Sequence, residues 1–523
     1  MIPTHDRRGS GILLHITSLP GAYGFGDLGA TAFRFIDFLA EAGQRYWQIL
    51  PFGPTNSVFG NSPYMSMSAF AGNPLCIALD DLQAAGLLSG ANLSTTPPFS
   101  EYLVDFDAVL GHRNKLLHQA FLNFTRQGGN DSADFQAFCC QAGAWLDDYA
   151  LFMSLKEQYR LKPWNQWPRP IATRTEDSLT SWRVRLAGRI QYYKFEQFCF
   201  ASQWRRVHDY ATQKGISLIG DIPIYLANDS ADVWTNQDFF KLDPKTLEPT
   251  HVAGVPPDYF SKTGQRWGNP VYRWQMPDNT MNSRLLSWWQ ERFRHLFSLL
   301  DLIRIDHFRG FESYWEIPAN EKTAINGQWI KGPGPEFFKE VENKLGPLAI
   351  IAEDLGLITP AVEKLRDDLG YPGMKVLQFA FDSDETNPYL PHNYRDPNCV
   401  VYTGTHDNDT AVGWLLSDMA SPPARRRLKK YANSHDDQQI HWDLIRLALA
   451  SVAKLAIIPL QDLLGFGGDC RMNLPGTSQG NWRWRCAPRF LTAELSTRLR
   501  AETEFYNRCQ RPLQDDAFDT DGG

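Results

Sequence analysis

Paired cysteines are the first thing this chain lacks. Its eight cysteines, at 76, 139, 140, 199, 399, 470, 486 and 509, show no C-x-x-C spacing. No histidine spacing suits zinc either, so a disulfide framework and a structural zinc site are both excluded. Scattered reduced thiols are expected of a cytoplasmic protein. Basic runs are also missing. The formal net charge is -7 and the pI about 6.0, which argues against a nucleic-acid partner. No stretch approaches the roughly 18 apolar residues that a membrane span needs. The apolar residues 11–16 behind Arg7 and Arg8 are too short for a signal segment and read as a strand. There is no fixed-period repeat. What remains is a soluble, globular chain of 523 residues, long enough for one large barrel with insertions. The acidic end, residues 507–523, is expected to be loose, and a monomer is the default.

Aromatic residues, in contrast, are plentiful, with 17 Trp and 19 Tyr. Most such rings serve packing, but sugar rings have apolar faces that stack on aromatics. Short apolar runs alternate with helical patterns along most of the chain. Eight runs are expected as strands: 12–16, 46–50, 217–222, 302–305, 349–352, 375–381, 400–403 and 456–459. Several are continuously apolar, as parallel strands buried on both faces are. Between them, Phe35, Ile36, Leu39 and Gly43 share one helical face, and Leu285, Trp289, Phe293 and Leu296 share another. Thr359-Pro360 opens a helix, with Thr as cap and Pro at the first position. Alternation in eight units predicts an α/β fold, a (β/α)₈ TIM barrel. Two connections are too long for plain turns. Residues 52–216 are read as a mostly helical inserted subdomain. Residues 226–280, rich in Pro, Gly and aromatics, are read as a lid.

Strand C-termini open onto the site of such a barrel. Here they carry acids: Asp221, Asp306, Glu353-Asp354, Asp382, Asp407 and Asp462. So much like charge is costly unless chemistry or a cation requires it. Two chemistries use it. Three acids can hold Mg²⁺ or Mn²⁺, or a carboxylate pair can cleave and remake a glycosidic bond. Arg304 lies two residues before Asp306, on the same strand face, and is expected to lower its pKa. His307 and His406 flank Asp306 and Asp407 and can donate to hydroxyls. These neighbours and the aromatics favour sugar over metal.

In order along the chain stand His15-Ile16-Thr17-Ser18-Leu19-Pro20, Gly24-Phe25-Gly26-Asp27-Leu28-Gly29, Ser62-Pro63-Tyr64 and Gly220-Asp221-Ile222-Pro223. Gly254-Val255-Pro256-Pro257-Asp258-Tyr259-Phe260-Ser261 and Gly264-Gln265-Arg266-Trp267-Gly268-Asn269-Pro270 follow. Then come Arg304-Ile305-Asp306-His307-Phe308-Arg309-Gly310, Ala352-Glu353-Asp354-Leu355-Gly356, Thr405-His406-Asp407-Asn408 and Arg471-Met472-Asn473. The set resembles the 4-α-glucanotransferases, or amylomaltases, of the α-amylase clan (glycoside hydrolase family 77). Departures are small: Asn61 stands where Asp is expected, and Met65 where Gln is common.

The resemblance implies that maltooligosaccharides and α-1,4-glucans are substrates, with glucose as an acceptor. It implies no organic cofactor, no catalytic metal and no separate C-terminal β-domain. It casts Asp306 as nucleophile, Glu353 as general acid/base and Asp407 as the acid that holds the sugar hydroxyls. Tyr64, Arg304, His307, His406 and Asn473 are expected to contact substrate, as are Asp221, Asp382, Asp258 and Trp267, the last two from the lid. The spacing Gly24, Gly26, Gly29 also fits G-x-G-x-x-G. However, residues 17–23 separate it from the strand, and no acid ends the second strand, which excludes a dinucleotide site. The rival functions are an α-glucan hydrolase of the same clan, a non-catalytic glucan-binding protein and a metal-dependent barrel enzyme.

Overall fold

A computed structural model describes residues 8–257, 261–434 and 436–509. Eight parallel strands form one sheet: β1 (Gly9–Leu13), β2 (Tyr46–Gln48), β3 (Ser217–Pro223), β4 (Leu302–Asp306), β5 (Ile350–Ala352), β6 (Gly373–Val376), β7 (Cys399–Tyr402) and β8 (Leu455–Pro459). Their order is β6-β7-β8-β1-β2-β3-β4-β5, so the sheet curls round on itself. The seam between β5 and β6 is bridged by Ala352 N–H donating to the Pro372 carbonyl at 2.9 Å. Asp354 stitches the same seam, accepting from Met374 N–H at 2.7 Å and pairing with Arg366. Closure removes the free sheet edges.

Inside the barrel, Leu13, Ile219, Leu302, Ile351, Val400 and Ile457 form one buried cluster. A second and larger core lies between strands and helices. Helix Ala30–Glu41 turns Phe35, Ile36 and Leu39 inward, and Gly43, just past its end, takes a left-handed φ of 70°. Helix Ser283–Phe297 buries Leu285, Trp289, Phe293 and Leu296. Thr359 does sit at the N-cap of Pro360–Asp368, although its side chain makes no capping bond. In the glycine-rich loop, a Cβ on Gly26 would lie 1.9 Å from the Ile16 carbonyl oxygen. Close packing against the first strand's exit therefore accounts for that glycine.

Between β2 and β3 the chain is helical, with Phe106–Arg126, Gly143–Gln158 and Ala187–Gln213 the longest helices and no strand. The last of these leads directly into β3 and is tied to the first barrel helix by Tyr210 O–H donating to Asp37 at 2.6 Å. After β3, strands His251–Val255 and Gln265–Pro270 join a second, antiparallel sheet. Its other two strands, Ser313–Pro318 and Gln328–Lys331, come from an excursion after β4 that the sequence reading missed. Two further corrections concern boundaries. β1 stops at Leu13, and Ile16–Ser18 is a 3-10 turn. β6 stops at Val376, because Leu377–Phe379 also coils into a 3-10 turn, so Asp382 does not end a strand. Among the described residues, no helix is long and apolar enough to cross a membrane. Residues 510–523 of the expected loose tail lie outside the described residues.

Candidate active site

Register brings the central groups together. Ile305 pairs with Ala352, so Asp306 and Glu353 leave adjacent parallel strands side by side, at the usual spacing of about 5 Å. Asp221 is the cross-strand partner of Arg304. One guanidinium nitrogen, Arg304 Nη1, reaches both Asp221 oxygens, at 2.7 and 2.9 Å, and Asp306 Oδ1 at 3.1 Å. Tyr64 O–H donates to Asp221 Oδ2 at 2.8 Å. The Asp221 side chain is 0% exposed. It holds Arg304 and Tyr64 from behind and does not face the cleft, contrary to the expectation that it meets substrate.

Glu353 is held by backbone. Its two oxygens accept from His307 N–H at 2.7 Å and Leu355 N–H at 2.9 Å. His307 itself adopts a left-handed φ of 54°, turning the chain sharply as it leaves the strand. Such a conformation costs a non-glycine residue roughly 1–2 kcal/mol. Across the cleft, Asp407 Oδ1 accepts from Asn473 Nδ2 at 2.7 Å and lies 3.3 Å from His406 Nε2. The Tyr64 ring stacks on His406, centroids 5.1 Å apart. Trp267 reaches in from the antiparallel sheet, edge-on to His307 at 4.8 Å.

The acids therefore sort into two sets. Asp306, Glu353 and Asp407 are half-exposed to the cleft, with the Asp306 side chain 30% and that of Asp407 46% open. Asp221, Asp354 and Asp462 are buried, each with donors of its own. Asp462 accepts from Thr403 Oγ1 at 2.6 Å and from Ala411 N–H at 2.7 Å, where it begins a helix. Asp382 is not brought to the cluster. It is exposed and accepts from Asn387 Nδ2 at 3.1 Å. Asp258 lies outside the described residues. Among those described, no three His, Cys, Asp or Glu side chains converge as a metal site.

Burial decides the protonation. It pushes the Asp306 carboxyl up to about 8; Arg304 pulls it down, while Asp221, Glu353 and Asp407 add to the rise. The side chain has open surface, but it sits deep between strand ends where water solvates it poorly. The expectation that Arg304 leaves Asp306 below its ordinary value is thus corrected, because desolvation outweighs the ion pair. Glu353 is also raised, by burial first, against Arg304 and its two amide donors. Two such carboxyls titrate as a coupled pair, whose apparent values belong to the pair and not to either residue. Burial pushes His307 down to about 3 and lowers His406 as well. Burial thus disfavours charge on both rings, and Arg304 is the cation in contact with Asp306. Sequence reasoning missed two contributors, Trp482, whose ring lies 5.9 Å from Tyr64, and Arg471, which binds the Asp407 carbonyl. The signal for Arg471 lay in the Arg471-Met472-Asn473 motif.

Residues 14–492 match the model of the 4-alpha-glucanotransferase family. The chain belongs to that family. It is 52% identical to the 4-alpha-glucanotransferase of Synechocystis sp. over 505 residues, 96% of this chain and 98% of that one. It is 46% identical to the 4-alpha-glucanotransferase of Thermus thermophilus over 508 residues, 96% and 99% of the two chains. The structure of an amylomaltase from Streptococcus agalactiae in complex with acarbose superposes with a TM-score of 0.91 at 38% identity. That alignment covers 96% of this chain and all of the other. The family match thus covers most of the 523 residues of this 4-alpha-glucanotransferase.

Proposed function

We propose that this 4-alpha-glucanotransferase moves α-1,4-glucan segments by a retaining double displacement on Asp306 and Glu353. Glu353 gives its proton to the glycosidic oxygen while an Asp306 oxygen bonds the anomeric carbon. The shortened glucan leaves with a new 4-OH, and the segment stays as a β-linked ester on Asp306. An acceptor, glucan or glucose, then enters. Its 4-OH passes a proton to Glu353 as its oxygen displaces Asp306, and the α configuration returns.

The observation that carries this reading is the in-register exit of Asp306 and Glu353 from adjacent strands. A retaining pair needs about 5–5.5 Å between carboxyls, whereas an inverting pair needs about 6.5–9.5 Å to admit water. Arg304 contacts Asp306 at 3.1 Å and so favours the anion there, which is why we assign the pair's proton to Glu353. Asp407, positioned by Asn473 and His406, binds sugar hydroxyls and favours the flattened ring. Tyr64 offers a stacking face, and Trp267 covers the cleft from residues 254–270, the segment we assign as the gate that keeps water from the ester. This route requires neither an organic cofactor nor a metal.

Incubation with maltotriose tests the reading. A ladder of longer maltodextrins together with glucose is expected, whereas maltose and glucose alone would show a hydrolase. Asp306→Asn should keep less than about a hundredth of wild-type activity, a loss equivalent to about 2.7 kcal/mol of barrel-site catalysis. We also place the chain in the cytoplasm as a monomer, with its cysteines as reduced thiols. Gel filtration and cell fractionation check those two points.

A further inference from the structure

We infer that Arg471 is a positioning residue that fixes the Asp407 carboxylate for the transition state. The inference rests on the reading of Asp407 given above. Asp407 lies outside any helix or strand, on the turn after β7, and its side chain is 46% exposed. Packing therefore does not place it, and polar contacts must. Arg471, from the turn after β8, supplies two of them. Its Nη2 donates to the Asp407 carbonyl at 2.6 Å and its Nε to the Asn473 carbonyl at 2.6 Å. Asn473 in turn donates through Nδ2 to Asp407 Oδ1 at 2.7 Å and through its N–H to the His406 carbonyl at 3.1 Å. One planar guanidinium thus ties the two carbonyls whose residues meet at the carboxylate.

Space beside this junction gives the tie its importance. A partly open pocket of about 20 Å³ is lined by Arg471, His15, His406, Asp409 and Asp462. That is room for about one water, so the turn has somewhere to relax if the clamp is removed. Lysine cannot replace the fork, since it carries a single nitrogen on a flexible stem. A displacement of about 1 Å at a reacting centre costs about a hundredfold in rate. The loss belongs in kcat, because Asp407 acts on the distorted ring more than on bound substrate.

The test is a double-mutant cycle of Arg471→Ala and Asp407→Asn, with Arg471→Lys alongside. Maltosyl fluoride is the donor, so that residual rates stay measurable. Arg471→Ala is expected to lower kcat about a hundredfold with little change in KM and to have almost no further effect in the Asp407→Asn background. Arg471→Lys is expected to recover no more than a few-fold. Melting temperatures of all variants separate lost positioning from lost fold. Equal losses in both backgrounds, or a kcat for Arg471→Ala within a few-fold of wild type, would overturn the inference and leave the Asp407 reading intact. Near-normal activity of Asp407→Asn would instead sink the Asp407 reading, and the inference with it.

Discussion

Asp221→Asn separates the electrostatics of the site from its chemistry, because the Asp221 side chain does not touch the cleft. Its two oxygens and Asp306 Oδ1 all lie within 3.1 Å of the same Arg304 nitrogen, so the two carboxylates are at most about 6 Å apart. At an effective dielectric of about 20, two charges at that distance repel by about 3 kcal/mol, equivalent to about two pH units. Removing the Asp221 charge removes one cause that raises Asp306. The Asp306–Glu353 pair then takes its second proton at lower pH. The acid limb of kcat/KM should therefore move down by about one to two pH units, and activity should extend further into acid. Stability should fall at the same time. Breaking a buried pair costs about 3–5 kcal/mol, and the low end applies here because Asn keeps one hydrogen bond and Asp306 still faces Arg304. With an unfolding entropy of about 2.1 cal/mol/K per residue, 523 residues give about 1.1 kcal/mol/K, so the melting temperature should drop by about 3 °C. The assays are a pH series of initial transfer rates on maltotriose and a thermal melt. A variant that melts 3 °C lower with an unmoved acid limb would refute the argument that the Asp221 charge raises Asp306.

Three further outcomes are expected. Glu353→Gln should lose at least about a thousandfold in kcat on maltotriose but far less in the first-turnover burst of fluoride from maltosyl fluoride, whose leaving group needs no proton; equal losses would remove Glu353 from the acid role. Trimming residues 254–270 should raise the ratio of hydrolysis to transfer in product analysis, and an unchanged ratio would acquit that segment as the gate. Asp462 is raised to about 6 by burial, above its unfolded value, so the folded state binds more protons than the unfolded state between about pH 4 and 6. Stability contributed by that protonation is complete at pH 4 and lost as the pH climbs through 6. Melting temperatures of Asp462→Asn should fall less steeply across that window than those of wild type, with transfer activity kept.

The barrel was legible because its strands are buried on both faces and read as unbroken apolar runs, as at Leu302-Ile303 and Ile457-Ile458. The same rule misled at residues 377–381. The apolar run continues there through Leu377, Phe379 and Phe381, yet the buried Gln378 donates to the Asp409 carbonyl at 2.7 Å and the backbone coils. That error carried Asp382 into the site. Strands Ser313–Pro318 and Gln328–Lys331 were invisible for the opposite reason. They are partly exposed, and the first of them pairs with residues some sixty positions earlier, in a contact that no local pattern reveals, while the second adds on to the first. Acid identity was legible in the sequence, but acid exposure was not. Asp221, Asp354 and Asp462 look like Asp306 in the chain, and they differ in being buried against donors, among them Arg304, Arg366 and the Ala411 amide. Nor does a sequence show that His307 turns left-handed, or that its amide donates to Glu353.

The most direct measurement is the mass of the peptide that carries Asp306 after rapid acid quench of Glu353→Gln turning over maltosyl fluoride. That variant forms the ester but lacks the base to discharge it to an acceptor. The account predicts one maltosyl unit added to the Asp306 side chain. An unlabelled peptide, or the sugar found on Asp407, would contradict it.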